Sequence, residues 1–168
     1  MVVNSSRVVN TGRVDPAQLD VGYLALFTGM QMNRLVLERM HAAGFGEIRE
    51  SHGYLIQHLI EKERSITELA RRMKVSQQAA SKQVAELAEL GALDVAAAAD
   101  RRQKTVRLSP RGRSLVELSR KHRRQIEKRL IRTAGEKAYR ATCAILSQYL
   151  ESLGGWERVR SRRVLPPQ

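Results

Sequence analysis

The segment 65–112 restricts the fold more than any other, because its helix and turn signals follow one another at short, fixed intervals. A capping box predicts that one helix begins at Ser65, where the Ser side chain and a Glu three residues later satisfy exposed backbone amides. A second helix begins after a short turn, at Ser76, and apolar residues recur at helical spacing in both. The two buried stripes are predicted to be Ile66, Leu69, Ala70 and Met73, and then Ala80, Val84, Leu87 and Leu90.

A β-hairpin is predicted directly after the second helix. Gly91 ends that helix, since glycine adopts the left-handed conformation at the C′ position without a Cβ penalty. Residues 93–97 alternate as in a strand, residues 105–108 supply the return strand, and the tip contains consecutive arginines. Two short helices followed by a basic hairpin predict a winged helix-turn-helix.

The exposed face of the second helix carries amide, hydroxyl and ammonium groups near the helix N-terminus. Such groups suit base edges and phosphates. The alternative is that this is an ordinary solvent-exposed helix face. The absence of any acidic residue on it argues against that, because the chain contains 17 Asp and Glu. The candidate DNA contacts are Ser76, Gln77, Gln78, Ser81, Lys82 and Gln83 on the helix, and Asp100, Arg101, Arg102 and Lys104 in the hairpin.

The charge of the chain independently favours a polyanionic partner. The formal net charge is +13, and residues 101–132 hold thirteen Lys and Arg against only Glu117 and Glu127. A membrane surface is the competing polyanion, but the sequence has no apolar stretch of spanning length and no secretory or lipidation signal. These features favour nucleic acid, with no membrane partner.

The segment 65–115 resembles the winged-helix core of the multiple antibiotic resistance regulator (MarR) family. The family's wing motif matches Asp100, Arg102, Leu108, Ser109, Gly112 and Leu115. Its recognition-helix motif matches Ser76, Ala79, Ala80, Ser81, Lys82, Leu87, Leu90 and Gly91. The resemblance implies a homodimeric, cytoplasmic, nucleoid-associated transcription regulator. It further implies a repressor that binds a palindromic double-stranded DNA operator and is released by a small ligand or oxidant.

Long helices are predicted on both sides of this core. Asp15, Ser109 and Thr133 are the predicted caps of three of them. Their apolar stripes, which include Leu24 and Phe27 near the N-terminus, exceed what one small domain can cover and predict interleaving with a second chain; packing within the chain is the alternative. The C-terminal stripe is Tyr139, Thr142, Leu146, Tyr149 and Leu153. The predicted division is a flexible arm (1–14), dimerisation helices (15–46 and 110–153), a winged helix-turn-helix (47–109) and a basic tail (154–168).

The single cysteine, Cys143, rules out an intrachain disulfide and indicates a reducing compartment. Its place inside an apolar helical pattern predicts a small packed residue, with a redox switch as the alternative.

Effector and enzyme chemistry are less constrained by the sequence. No metal-ligand spacing, phosphate loop or nucleophile motif occurs, so we expect no catalytic residue, metal or cofactor. A nonspecific architectural DNA-binding protein and a small enzyme remain alternatives. In the resembling family, ligands bind between the dimerisation helices and the winged core, and the polar or aromatic candidates there are Tyr23, Arg34, His52, Tyr54 and His58.

The hairpin tip gives a first testable prediction. Arg102 is expected to enter the minor groove, where the negative potential is concentrated. Asp100 is expected to hold the Arg102 side chain extended, and Arg101 to contact the DNA backbone. Arg102→Ala should therefore weaken DNA binding more than Arg101→Ala. Asp100→Ala should also weaken it, although charge alone predicts the opposite. Tighter binding by Asp100→Ala in an equilibrium titration would contradict this role.

Overall fold

Helices account for most of the residues that the computed structural model describes, which are 15–97 and 104–160. The elements are α1 (Val21–Ala42), α2 (Glu50–Ile56), β1 (Arg64–Ser65), α3 (Ile66–Met73), α4 (Gln77–Glu89), β2 (Leu93–Ala97), β3 (Lys104–Leu108), α5 (Pro110–Ala134), α6 (Glu136–Ser152) and α7 (Trp156–Arg160), with single 3₁₀ turns at Pro16–Gln18 and Gln57–Leu59. The predicted fold class, mainly α with a small β-wing and a winged helix-turn-helix core, is confirmed.

The helix-turn-helix consists of α3 and α4, and serine caps begin both helices. Ser65 Oγ accepts a hydrogen bond from the Glu68 amide, and Ser76 Oγ accepts one from the Ala79 amide, both at 3.1 Å. The reciprocal half of the predicted capping box is wrong, because the Glu68 carboxylate instead accepts hydrogen bonds from the side chains of Arg64 and Arg72. The predicted stripes are confirmed, with Ile66 and Leu90 only half-buried at their ends.

The sheet has the order β1-β3-β2 and is antiparallel throughout. Leu93 pairs with Leu108 at its base, and Val106 in the central strand is fully buried. The period-two pattern is confirmed in β3, where Val106 and Leu108 are buried, but it is wrong in β2 beyond Leu93, because Val95 is 40% exposed.

Two predicted helix starts are wrong. Asp15 caps only a 3₁₀ turn, accepting from the Ala17 amide at 2.9 Å. Helix α1 begins later, because Asp20 Oδ1 accepts from the Gly22 and Tyr23 amides at 2.8 and 3.0 Å. Thr133 lies inside α5, where its hydroxyl donates to the Arg129 carbonyl, and Gly135 with φ of 84° separates α5 from α6.

The core lies in the winged domain and takes in one face of each flanking helix. Val36 and Met40 of α1, and Leu115 and Val116 of α5, pack there. The N-terminal half of α1 and the whole of α6 contribute no buried residue within the chain. The α6 stripe predicted to face inward is exposed in a single chain, apart from the half-buried Tyr139, whose hydroxyl donates to Glu127 of α5. The α1 stripe from Leu24 to Met30 is exposed as well.

The C-terminal region also differs from prediction. Residues 156–160 of the predicted tail form α7, in which the Arg160 guanidinium lies 5.7 Å from the centre of the Trp156 ring. Cys143 is exposed on α6, so its predicted packing is wrong for a single chain.

A close backbone contact joins α5 to the turn after α4. Ser109 Oγ donates to the Gly91 carbonyl at 2.5 Å and accepts from the Gly112 amide at 2.9 Å. A Cβ on Gly112 would lie 2.0 Å from the Ala92 carbonyl oxygen, which is backbone and cannot turn aside. Only glycine allows the first turn of α5 to approach the base of the hairpin so closely.

Gly112→Ala should therefore lower the free energy of unfolding by about 3 kcal/mol, at the upper end of overpacking effects. Gly53→Ala is the matched control, since nothing lies within 4 Å of a Cβ there. In the interior of α2 it should stabilise the protein by about 0.5–1 kcal/mol. Urea titrations followed by circular dichroism measure both, and equal stability of the two variants would contradict the contact.

Candidate functional site

The first candidate surface is the exposed face of α4. A shallow, open depression there is lined by Gln77, Gln78, Ser81 and Lys82, together with the apolar side chains of Ile66 and Ala85. All four polar residues are exposed, and none carries a negative charge. The surface can donate and accept hydrogen bonds and can contact a methyl group, which is the chemistry that DNA base edges present.

Gln83 does not belong to this surface, although the sequence grouped it there. Its side chain lies on another side of α4, is half-buried, and places Oε1 out of contact with solvent. The helical period explains the difference, because position 83 is about 200° around the helix from position 81.

The preceding turn contributes a basic residue that the sequence patterns did not single out. Lys74 ends α3 in the left-handed conformation, with φ of 53°, and is exposed beside the start of α4. A non-glycine residue at this angle is uncommon. The only feature of the sequence that could have indicated Lys74 is the short turn between α3 and α4.

The hairpin is described only in part. Lys104 is exposed at the start of β3, opposite Ala97. Nearer the base, Arg107 donates to Asp94 across the two strands at 3.3 Å. The predicted contacts Asp100, Arg101 and Arg102 lie outside the described residues.

The second candidate surface is a cavity of about 420 Å³ lined by residues of α1, α2, α5 and the turn after α2. Its floor is apolar and includes Val36, Ile56 and Leu115. Its polar lining combines three arginines with one carboxylate, and consists of Asn33, Arg49, Glu50, Tyr54, Gln57, Ser119, Arg120 and Arg123.

Hydrogen bonds join some of these polar groups. Asn33 Nδ2 donates to Glu50 at 2.9 Å, and Arg123 donates to the Asn33 carbonyl. Burial, and then the charge of Glu50, raises the pKa of Tyr54, so its phenol remains protonated at neutral pH. The lining therefore has more cationic than anionic side chains around an apolar floor, and two of its arginines, Arg49 and Arg120, are paired with Glu86 and Glu117 outside it.

Only one of the predicted effector residues, Tyr54, lines this cavity. Tyr23 is exposed and stacks on Phe27 with ring centroids 6.1 Å apart. Arg34 is exposed and pairs with Glu38 at 2.8 Å on the surface of α1.

The two predicted histidines, His52 and His58, are buried in the winged domain and are likewise absent from the cavity lining. Helical periodicity places residues on a face of their own helix, but it does not show which neighbouring element that face contacts.

One of these histidines takes part in a polar cluster between α2 and α4. His52 Nδ1 accepts from the Arg49 amide at 3.2 Å, and His52 Nε2 lies 3.2 Å from Glu86 Oε2. The Arg49 guanidinium donates to the same carboxylate oxygen. The hydrogen bond from His52, followed by the charges of Arg49 and Lys82, lowers the pKa of Glu86, so this carboxylate is ionised at neutral pH.

Searches for two further kinds of site gave no candidate in the part of the chain that is described. In residues 15–97 and 104–160, no helix is both long and apolar enough to cross a bilayer. In the same ranges, no three His, Cys, Asp or Glu side chains lie together as ligands for a metal ion.

Comparison with known proteins identifies the fold. Residues 49–103 match the model of the MarR family. RV1404 from Mycobacterium tuberculosis is similar in structure, with a TM-score of 0.68 and 17% identity over 82% of this chain and 97% of that chain. MepR, a transcription regulator of the Staphylococcus aureus multidrug efflux pump MepA, gives a TM-score of 0.66 and 18% identity over 80% and 99% of the two chains.

A MepR variant bound to an oligodeoxyribonucleotide is also similar, with a TM-score of 0.58 and 20% identity over 81% of this chain and 99% of that chain. No curated protein is close enough in sequence to count as a relative. At these identities the structural likeness establishes the fold. Together with the matched segment, it confirms the resemblance inferred from the sequence motifs.

Proposed function

We propose that this chain, which carries the MarR-family segment on the fold of MarR-family transcription regulators, is a homodimeric, sequence-specific DNA-binding repressor controlled by a small molecule. The observation that carries the proposal is the acid-free polar face of α4, exposed at the N-terminal end of the second helix of a helix-turn-helix. An α-helix fits the major groove, and its N-terminal residues meet the base edges.

Base contacts are assigned to Gln77 and Gln78, whose amides can bond adenine in two places. Ser81 and Lys82 are assigned to contacts with phosphates, and Ser76 is assigned to capping the N-terminus of α4. The net charge of +13 doubles in a dimer and supplies the nonspecific attraction. The MepR variant bound to an oligodeoxyribonucleotide shows that this fold can bind DNA in another protein.

Dimerisation is assigned to the exposed apolar residues of α1 and α6, within the proposed dimerisation segments 15–46 and 110–153. Phe27 is 52% exposed and Leu153 83% exposed in the single chain. Both helices pack against α5, and exposed apolar side chains of this kind are what subunit interfaces bury. The proposed occupant is the same surface of a second copy, as in an isologous dimer.

The effector is assigned to the cavity among α1, α2 and α5. Its volume of about 420 Å³ suits a small organic molecule. Its arginines and apolar floor favour an amphipathic anion over a neutral sugar or a cation. Tyr54 is kept from the candidates inferred from the sequence, and Arg49, Arg120 and Arg123 replace Tyr23, Arg34, His52 and His58.

The operator can be recovered by selecting duplexes from a random pool. Recognition helices of a two-fold dimer enter successive major grooves about 34 Å apart, so the selected site should be an imperfect palindrome of roughly 16–20 base pairs. Sedimentation should show a dimer, which Phe27→Glu on α1 should dissociate and Lys128→Glu, at an exposed position of α5, should not. Selection of no sequence would instead favour a nonspecific architectural DNA-binding protein.

The assignments on α4 can be separated by their sequence and salt dependence. Gln78→Ala should cost about 1–3 kcal/mol on the selected duplex and reduce the preference over random duplex. Lys82→Ala should weaken all duplexes alike and lower the log–log salt slope by about one for each half-site, or about two for the dimer. An unchanged preference in Gln78→Ala would contradict its assignment to a base.

A further inference from the structure

Arg49 connects the cavity to α4, the helix that carries the other candidate surface. It lines the cavity, and its guanidinium bonds Glu86 on α4, 37 residues further along the chain. Its side chain is 60% exposed, whereas that of His52 in the same cluster is 1% exposed. Arg49 is therefore the member of the cluster with room to change partners, and His52 is the fixed one.

The hydrogen bonds of His52 determine its tautomer. Because Nδ1 accepts from the Arg49 amide, the proton of the neutral ring is on Nε2, which then donates to Glu86. The Arg49 guanidinium and His52 Nε2–H are both donors to one carboxylate oxygen, and their nitrogens lie 3.1 Å from each other. Glu86 consequently stays anchored by His52 when Arg49 leaves, but it loses its cationic partner.

Lys82 is the next cation within reach of Glu86. The two residues are four apart on α4, a spacing that brings oppositely charged side chains together. The charge of Lys82 already contributes to the lowered pKa of Glu86. As long as Arg49 neutralises Glu86, the Lys82 ammonium is available to a DNA phosphate.

We propose that an amphipathic anion in the cavity draws Arg49 away from Glu86, and that Glu86 then binds Lys82 and lowers the affinity of α4 for DNA. This inference rests on the proposed function and gives the mechanism of its regulation. The ligand class follows from the cavity, whose lining has three arginines against one carboxylate above an apolar floor.

The ligand step is tested with 2-naphthoate, an aromatic carboxylate, and with 2-naphthamide, its uncharged analogue. The dissociation constant of the selected duplex is measured by fluorescence anisotropy with each compound. Naphthoate should weaken binding roughly fivefold and lower the salt slope by about two, because each half-site of the dimer loses one phosphate contact. Naphthamide should do neither, and equal effects of the two compounds would overturn the ligand assignment.

The relay is tested without ligand by a double-mutant cycle. Arg49→Gln should reproduce the naphthoate effect, because it leaves Glu86 free to bind Lys82. Glu86→Gln should keep the affinity of the parent protein and abolish the response to naphthoate. The double variant Arg49→Gln, Glu86→Gln should regain the affinity that Arg49→Gln alone loses.

Glu89→Gln is the matched control. It removes a negative charge from an exposed position of the same helix, so Arg49→Gln combined with Glu89→Gln should stay weak. A double variant with Glu86→Gln that is as weak as Arg49→Gln would overturn the relay and indicate that Arg49 contacts DNA itself.

Failure of the relay and failure of the proposed function give different results. If the parent protein binds no duplex preferentially, the proposed function is wrong. If it does, but Glu86→Gln responds to naphthoate as the parent protein does, the relay alone is wrong. The Glu86→Gln result stands by itself should Arg49→Gln fail to fold, which circular dichroism would reveal.

Discussion

The contact between Gly112 and the Ala92 carbonyl fixes the geometry on which the rest of the structure depends. It brings the first turn of α5 against the turn that follows α4, and Ser109 bonds both sides of the junction. The 25 residues of α5 extend about 37 Å from this point. A small change of angle at the junction would therefore move the far end of α5, and α6 which follows it, by several ångströms.

Local signals made much of this fold predictable. Serine caps at positions 65, 76 and 109, and a left-handed glycine at 91, mark helix ends by hydrogen bonds and backbone angles within a few residues. The same logic failed where two local signals compete. Asp15 and Asp20 both precede helix-compatible residues, and the second caps α1 because its carboxylate satisfies two amides while the first satisfies one.

The candidate sites were predictable only where they depend on one helix. The polar face of α4 follows from its period, apart from Gln83, which the period itself excludes. The cavity and the pair of Arg49 with Glu86 join elements that are distant in sequence, and no spacing rule encodes them. Likewise, the stripe on α6 indicates an apolar face, but periodicity alone does not say whether the same chain or a second chain covers it.

The charge distribution of α4 is the reverse of what helix stability favours. Acidic residues stabilise the first turn of a helix and basic residues the last, each by about 0.3–1 kcal/mol. In α4 the first turn has no acidic residue and the last no basic one, while Glu86 and Glu89 lie near the C-terminal end. Ser76 compensates in part by capping the helix without a charge. The positive end of the helix dipole thus remains available to an external anion, and Glu86 depends for its neutralisation on Arg49, a residue of another element. Under the proposed function, the features that suit α4 to DNA would also make its binding sensitive to events at the cavity.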